Sequence, residues 1–111
     1  MAKRLSKALR GKRRWIGVQI SANVHSRSET KSLIERISND LQLSANPKLM
    51  DFEQNVLSNG CGTGIIQVNL TDYMKFRTHI STVESLNIVG MSSITSSGKI
   101  RLVRERLSEL E

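Results

Sequence analysis

Aromatic side chains are scarce in this sequence, since only four of its 111 residues are Phe, Trp or Tyr. The length fits one domain with one core and is too short for two. Without large rings, that core is expected to consist of Ile, Leu, Val and Met. The sequence therefore predicts a single small domain with an aliphatic interior.

Multiple cysteines, long apolar runs and a secretory signal are also missing. Cys61 is the only cysteine, so no disulfide can form within the chain, and this is typical of the reducing cytoplasm. No stretch approaches the roughly 18 uninterrupted apolar residues of a membrane-spanning helix. No apolar segment follows the basic start, as it does in a secretory signal. We therefore expect a cytoplasmic protein that is not inserted in a membrane.

Acidic residues are absent from the first fourteen positions, which carry seven basic residues. The other positions carry ten basic and ten acidic residues, so the net charge of +7 belongs to a basic N-terminal arm over residues 1–14. A single neutral domain is expected over residues 15–111. This segregation predicts a polyanionic partner, which could be RNA, DNA or an anionic membrane. A membrane usually also requires an apolar helix face, for which Leu5 and Leu9 offer little, so nucleic acid is favoured.

Hydrophobic periodicity predicts alternating strands and helices. A capping box of Ser26 and Glu29 opens a helix that should end near Leu43. Thr71 is expected to cap a second helix. Its apolar stripe is expected to consist of Met74, Phe76, Ile80 and Val83. The predicted strands cover residues 15–21, 48–57, 65–70 and 87–95, with turns at 58–64 and 96–98 and an amphipathic helix over 99–111.

This order predicts an α+β fold of the ferredoxin-like or RRM-like class. In the split βαβ arrangement, two helices pack on one face of a four-stranded antiparallel sheet. The other face is expected to remain free, so that the protein self-associates or binds another subunit through it. RNA-recognition motifs use that face to stack bases on aromatic side chains. The central strand over 65–70 has none, so RNA would be bound mainly through phosphates and shape.

The residues that catalysis requires show no recognisable pattern. His25 and His79 are isolated, and together with one cysteine they do not form a zinc motif. Asp72 has the position of a first-turn helix charge. The glycine-rich segment 60–64 lacks the Lys-Ser/Thr ending of a P-loop and is interpreted as a hairpin turn. Arg27, in the loop after the first strand, has the position of the phosphate-binding arginine of acylphosphatases, but the surrounding glycines are missing.

Three segments carry a resemblance to a known family. Residues 9–16 read Leu-Arg-Gly-Lys-Arg-Arg-Trp-Ile, and residues 97–101 read Ser-Gly-Lys-Ile-Arg before a basic helix. A strand over residues 64–69 precedes a helix. Together they resemble protein component 2 of archaeal ribonuclease P, the counterpart of a small subunit of eukaryotic ribonuclease P and MRP. The chain departs from the family pattern by Lys99 in place of threonine, by Trp15 in place of tyrosine and by the lack of a proline pair before Leu9.

The resemblance implies a noncatalytic RNA-binding subunit of the endonuclease that removes the 5′ leader from precursor tRNA. The RNA subunit would hold the Mg²⁺ ions and perform the hydrolysis, and the protein would bind no cofactor. Its partners would be the ribonuclease P RNA and protein component 3, with precursor tRNA reached indirectly and a homodimer or heterotetramer left open. Gly98 is expected to provide a turn that brings the backbone close to RNA. The expected RNA contacts are Arg4, Arg10, Lys12, Arg13, Arg14, Ser97, Gly98, Lys99, Arg101 and Arg104.

Two other functions stay open at this point. A ribosomal or generic RNA-binding module of the same fold would also use a basic arm. A ferredoxin-like ligand-binding domain or an acylphosphatase-like enzyme is the third alternative. Identification of the bound RNA separates the first two functions, and an acyl phosphatase assay tests the third.

Overall fold

The chain forms a four-stranded antiparallel sheet with helices on both of its faces. The computed structural model describes residues 13–110 apart from Asn55, Ser58 and Val83. The strands lie in the order β2-β3-β1-β4, which confirms the predicted α+β fold of the ferredoxin-like class. None of the described helices has the length and apolar character needed to cross a membrane. The elements are β1 (Arg13–Ile20), α1 (Arg27–Leu41), β2 (Lys48–Glu53), β3 (Gly62–Asn69), α2 (Leu70–His79), α3 (Ser85–Ile88), β4 (Met91–Ser97) and α4 (Ile100–Ser108).

One face of β1 lies at the centre of the core. Ile16, Val18 and Ile20 are fully buried there, because residues two apart in a strand point to the same side. Helices α1 and α2 cover this face and add the ring of Phe76. The predicted aliphatic core is therefore confirmed. Its other members are Leu33, Ile34, Ile37, Leu49, Ile66, Val68, Ile80 and Met91.

The predicted capping box opens α1. The hydroxyl of Ser26 accepts a hydrogen bond from the backbone N–H of Glu29 at 3.1 Å. The Glu29 carboxylate in turn accepts from the N–H of His25 at 2.9 Å, one residue before the usual partner. At the other end, Gln42 adopts a left-handed φ of 54°. The helix therefore ends at Leu41, two residues before the predicted end.

The apolar stripe predicted for the second helix is partly wrong. Helix α2 begins at Leu70, one residue before Thr71, and ends at His79. Phe76 is fully buried, but Met74 is 62% exposed. Two residues apart on a helix point to nearly opposite sides, so these two cannot share one buried face. The side chain of Val83, also assigned to this stripe, lies outside the described residues.

Glycines shift two of the predicted strand boundaries. Strand β3 begins at Gly62, inside the predicted turn, because glycine allows it to pair closely with its neighbours. A Cβ at Gly62 would overlap the carbonyl oxygen of Glu53 in β2. One at Gly64 would lie 2.9 Å from Cδ1 of Ile20 in β1. Strand β4 begins at Met91, and Asn87 belongs to α3 instead. Gly90 makes the turn between them with a φ of +104°, a conformation that other residues rarely adopt.

The second face of the sheet is not free, so that prediction is wrong. Helix α4 packs against β1, β3 and β4 on the face opposite the core. Gly17 makes room for it: a Cβ at this position would lie 2.9 Å from Val103 and 3.1 Å from Leu107. Arg106 adds hydrogen bonds to Thr95 Oγ1 at 2.9 Å and to the carbonyl oxygen of Ser96 at 3.1 Å. The amphipathic pattern found in the sequence thus covers the chain's own sheet.

Asp72 connects two distant segments and is more than a first-turn helix charge. Its side chain is 5% exposed. The carboxylate accepts hydrogen bonds from the Ser44 hydroxyl at 2.8 Å, the Ser44 N–H at 3.1 Å and the Ala45 N–H at 3.3 Å. Asp72 therefore holds the loop after α1 against the start of α2.

We expect Asp72→Ala to lower the free energy of unfolding by about 2 kcal/mol, because hydrogen bonds to a charged acceptor each contribute about 1.5–3 kcal/mol and the freed donors remain partly accessible to water. Urea unfolding measures this loss. Asp40→Ala removes an exposed acid of α1 and is the matched control, with an expected change below about 0.5 kcal/mol. Equal losses in the two variants would show that the Asp72 contacts contribute nothing.

Candidate nucleic-acid interface

The end of the sheet at which β1 begins brings several candidate residues together. The register places one residue of each strand in a row there, namely Lys48, Gln67, Trp15 and Ser97. Arg13 and Arg14 directly precede this row in β1, and the turn into α4 directly follows Ser97. Residues 97–101 and the basic start of β1, which lie more than 80 positions apart in sequence, therefore become neighbours.

Arg13 and Arg14 project from opposite faces of the sheet, because neighbouring residues of a strand alternate. Arg13 shares the face that α4 covers, and Arg14 shares the face of the core. The Arg14 guanidinium donates a hydrogen bond to the Arg13 carbonyl oxygen at 3.1 Å. Both residues belong to β1 and not to the predicted arm, which they were expected to end. At this end of the sheet, the two positive charges therefore lie on opposite faces instead of on one face.

Gly98 has a different role from the one expected for its backbone. Its φ is not among the positive values of this chain, so the turn does not require the conformational freedom of glycine. A Cβ at Gly98 would lie 3.1 Å from Nη1 of Arg14. The missing side chain therefore leaves room for the Arg14 guanidinium beside the turn.

The start of α4 concentrates positive charge. The Ser97 hydroxyl accepts a hydrogen bond from the Lys99 N–H at 3.1 Å and so orders the turn. The N-cap of the helix is Lys99, no side chain caps it, and its first turn contains no acid. A helix N-terminus already carries a partial positive charge, which the cations of Lys99 and Arg101 increase. Bound anions are favoured at such a place.

Arg104 is a predicted contact residue whose side chain is bonded to a carboxylate. Its Nε donates to Asp51 Oδ2 at 2.9 Å and its Nη2 to Oδ1 at 3.3 Å. The hydrogen bond and the negative charge of Asp51 raise the pKa of Arg104. The side chains are 55% and 38% exposed, respectively. Arg104 is thus accessible, but a carboxylate occupies its guanidinium.

Lys48 joins the candidate residues, although no sequence pattern had singled it out. It pairs with Gln67, whose neighbours Ile66 and Val68 face the core, so Lys48 is on the α4 face. Asp72 follows the last residue of β3 by three positions at this end of the sheet, but its side chain is buried and accepts hydrogen bonds from Ser44 and Ala45. We call the resulting set the basic-end surface: Arg13, Arg14, Lys48, Lys99 and Arg101. The predicted contacts Arg4, Arg10 and Lys12 lie outside the described residues.

The residues considered for catalysis do not come together. His79 is half-buried in the last turn of α2, His25 is exposed before α1, and Cys61 is buried. Within residues 13–110 as described, no three side chains of His, Cys, Asp or Glu are grouped so that they could hold a metal ion. Arg27, the acylphosphatase-like arginine, donates to the carbonyl oxygen of Leu49 at 2.9 Å and so supports the edge strand β2.

A groove of about 650 Å³ lies between β2 and the end of α4. Its apolar lining includes Phe52, Ile65 and Leu107. Of its cationic groups, Arg27 is bonded to a backbone carbonyl and Arg104 to Asp51. The groove therefore presents few unengaged polar groups to orient a small ligand, which weakens the ligand-binding alternative.

No protein-family model matches this chain, and no curated protein matches it.

Proposed function

We propose that this chain is a noncatalytic RNA-binding subunit of ribonuclease P. The observation that carries the proposal is the basic-end surface, which gathers five cations from β1, β2 and the start of α4 at the point where the basic arm enters the sheet. In the described part of the chain, none of the five forms an ion pair with a carboxylate. Unpaired Lys and Arg side chains are the groups that neutralise RNA phosphates.

The arrangement favours nucleic acid over an anionic membrane. Membrane surfaces bind amphipathic helices whose apolar face is available for insertion. Here the apolar residues Val103 and Leu107 of α4 pack over Gly17 and are directed to the sheet. The apolar face of α4 is therefore not available for insertion into a membrane beside the basic-end surface.

The choice of ribonuclease P among RNA-binding particles rests on the resemblance of residues 9–16 and 97–101. The described part of the first segment, residues 13–16, meets the second segment at the basic-end surface, which supports a common role for them. In the proposed particle, the RNA subunit supplies the metal-dependent hydrolysis. The chain's own residues hold RNA phosphates, in partnership with protein component 3 and in the cytoplasm.

Replacing Arg13 and Arg14 together by Ala tests this role in a particle reconstituted with ribonuclease P RNA, protein component 3 and precursor tRNA. We expect about tenfold slower cleavage at low Mg²⁺, because two phosphate contacts are lost. Recovery is expected at high Mg²⁺, which screens the phosphates instead. Lys75→Ala with Arg77→Ala is the matched control, since it removes two exposed cations from α2. Equal effects of the two double variants would show that only net charge matters.

His79→Ala tests whether the protein contributes catalytic groups. Cleavage by the reconstituted particle is expected to stay within about twofold of the unchanged particle at every Mg²⁺ concentration, because His79 lies on α2 and does not belong to the basic-end surface. The measurement is the single-turnover cleavage rate, with RNA affinity measured in parallel. Abolished cleavage with intact RNA binding would indicate an active site on the protein and overturn the proposal.

The same basic-end surface also supports the second candidate, a ribosomal or generic RNA-binding module. Sequencing the RNA that is recovered with the tagged protein separates the two. Enrichment of one ribonuclease P RNA supports the proposal, whereas recovery of ribosomal or mixed RNA supports the alternative.

A further inference from the structure

The guanidinium of Arg104 is oriented to donate two hydrogen bonds to two oxygen atoms of one anion. Its Nε and Nη2 donate to the two oxygens of Asp51 at 2.9 Å and 3.3 Å. A phosphate group offers two oxygens to the same pair of donors, which is why arginine binds carboxylates and phosphates alike. The guanidinium is therefore already oriented as a phosphate contact requires.

The position of Arg104 extends the basic-end surface. Arg101 precedes it by three residues on α4, and residues three apart on a helix are neighbours. Lys48 lies three residues before Asp51 in β2, and the register places both residues on the α4 face. An RNA strand that passes from Arg101 or Lys48 towards the middle of β2 therefore meets Arg104 next.

Helix α4 does not depend on the Asp51–Arg104 pair for its place on the sheet. Val103 is fully buried, Leu107 packs over Gly17, and Arg106 bonds to Thr95 and Ser96 on the β4 side. Both members of the pair are partly exposed to solvent, and exposed ion pairs contribute little to stability. The need to hold α4 on the sheet therefore does not explain why a carboxylate, Asp51, lies beside Arg104.

We propose that Asp51 is an intramolecular competitor of RNA, and that its carboxylate occupies Arg104 until a backbone phosphate displaces it. The proposal rests on the proposed RNA-binding function. Asp51 lowers affinity by occupying the arginine and by repelling incoming phosphates. An RNA that places a phosphate directly at Arg104 must break the Asp51–Arg104 pair, whereas one that is held only by diffuse attraction leaves the pair intact. Asp51 thus reduces the affinity of every RNA that contacts Arg104 by the free energy needed to break the pair.

Asp51→Asn tests the proposal, with ribonuclease P RNA and an unrelated single-stranded RNA as the two probes. The variant is expected to bind ribonuclease P RNA about threefold to tenfold more tightly, because its phosphate no longer has to displace a carboxylate from Arg104. The unrelated RNA is expected to gain no more than the same factor. For the unrelated RNA, the slope of log affinity against log salt should become steeper by about 0.7, which corresponds to one added phosphate contact.

Glu53→Gln is the matched control, because Glu53 is exposed, lies on the same face of β2 and has no ion pair with a described residue. It is expected to leave the salt slope unchanged. Adding Arg104→Ala to Asp51→Asn should abolish the gain, because the freed arginine is then missing. Urea unfolding confirms that each variant is folded at the temperature of the binding assay.

Three outcomes overturn the proposal. Weaker RNA binding by Asp51→Asn would show that the pair positions α4 instead. Equal gains for Asp51→Asn and Glu53→Gln would show a general charge effect. A gain that survives Arg104→Ala would exclude displacement at this arginine. In each case an RNA affinity that still depends on Arg13 and Arg14 leaves the proposed function standing, whereas failure of the unchanged protein to bind either RNA overturns both.

Discussion

Removal of residues 1–10 is expected to make RNA affinity much less dependent on salt. The deletion takes away four basic residues and no acid. If each contacts one phosphate, the slope of log affinity against log salt falls by about three, since each released counterion contributes about 0.7–0.9. This corresponds to about 300-fold of electrostatic affinity between 1 M and 0.15 M salt. Fluorescence anisotropy with labelled RNA over a salt series measures both quantities.

A second arm variant separates charge from chain length. Replacing the same four residues, Lys3, Arg4, Lys7 and Arg10, by Gln keeps the arm but removes its charge. It is expected to behave like the deletion, because counterion release depends on cations and not on the backbone. A slope that both variants leave unchanged would show that the arm does not contact RNA and that the basic-end surface carries the binding alone.

Gly62→Ala is expected to lower the free energy of unfolding by about 3 kcal/mol. A Cβ at this position would overlap the backbone carbonyl oxygen of Glu53 and would lie 3.3 Å from the Cα of Gln54. Because the obstacle is backbone, relief requires β2 to move away from β3, and overpacking of this kind typically costs about 1–3 kcal/mol or more. Urea unfolding followed by circular dichroism measures the loss.

Gly98→Ala is the matched control for Gly62→Ala. A Cβ at Gly98 meets only the end of the Arg14 side chain, which can move aside. Stability is therefore expected to change by less than about 0.5 kcal/mol. A loss as large as that of Gly62→Ala would mean that the turn before α4 tolerates no side chain, and that a backbone obstacle is not required for a loss of this size.

Local patterns predicted those elements whose partners are close in sequence. The alternation of Ile16, Val18 and Ile20 identified β1, and the Ser26–Glu29 capping box located the start of α1. Both depend on interactions within one strand or one helical turn. The boundaries of β3 and β4 were missed because glycines that look like turn residues permit close strand packing at Gly62 and a left-handed turn at Gly90.

The amino-acid sequence by itself determined the aliphatic core, the order of the elements apart from α3, and the concentration of positive charge before β1, because these follow from composition and local periodicity. Only the tertiary structure decided that α4 covers the second sheet face, that Lys48 lies with Arg13 at one sheet end, and that Asp51 occupies Arg104. Each of these depends on strand register or on contacts between residues far apart in sequence. Asp51 and Arg104 lie 53 positions apart, and neither has a neighbour in sequence that indicates the other. Long-range pairing is determined by how the helices and strands pack together, and that information is distributed over the whole chain rather than contained in any one segment.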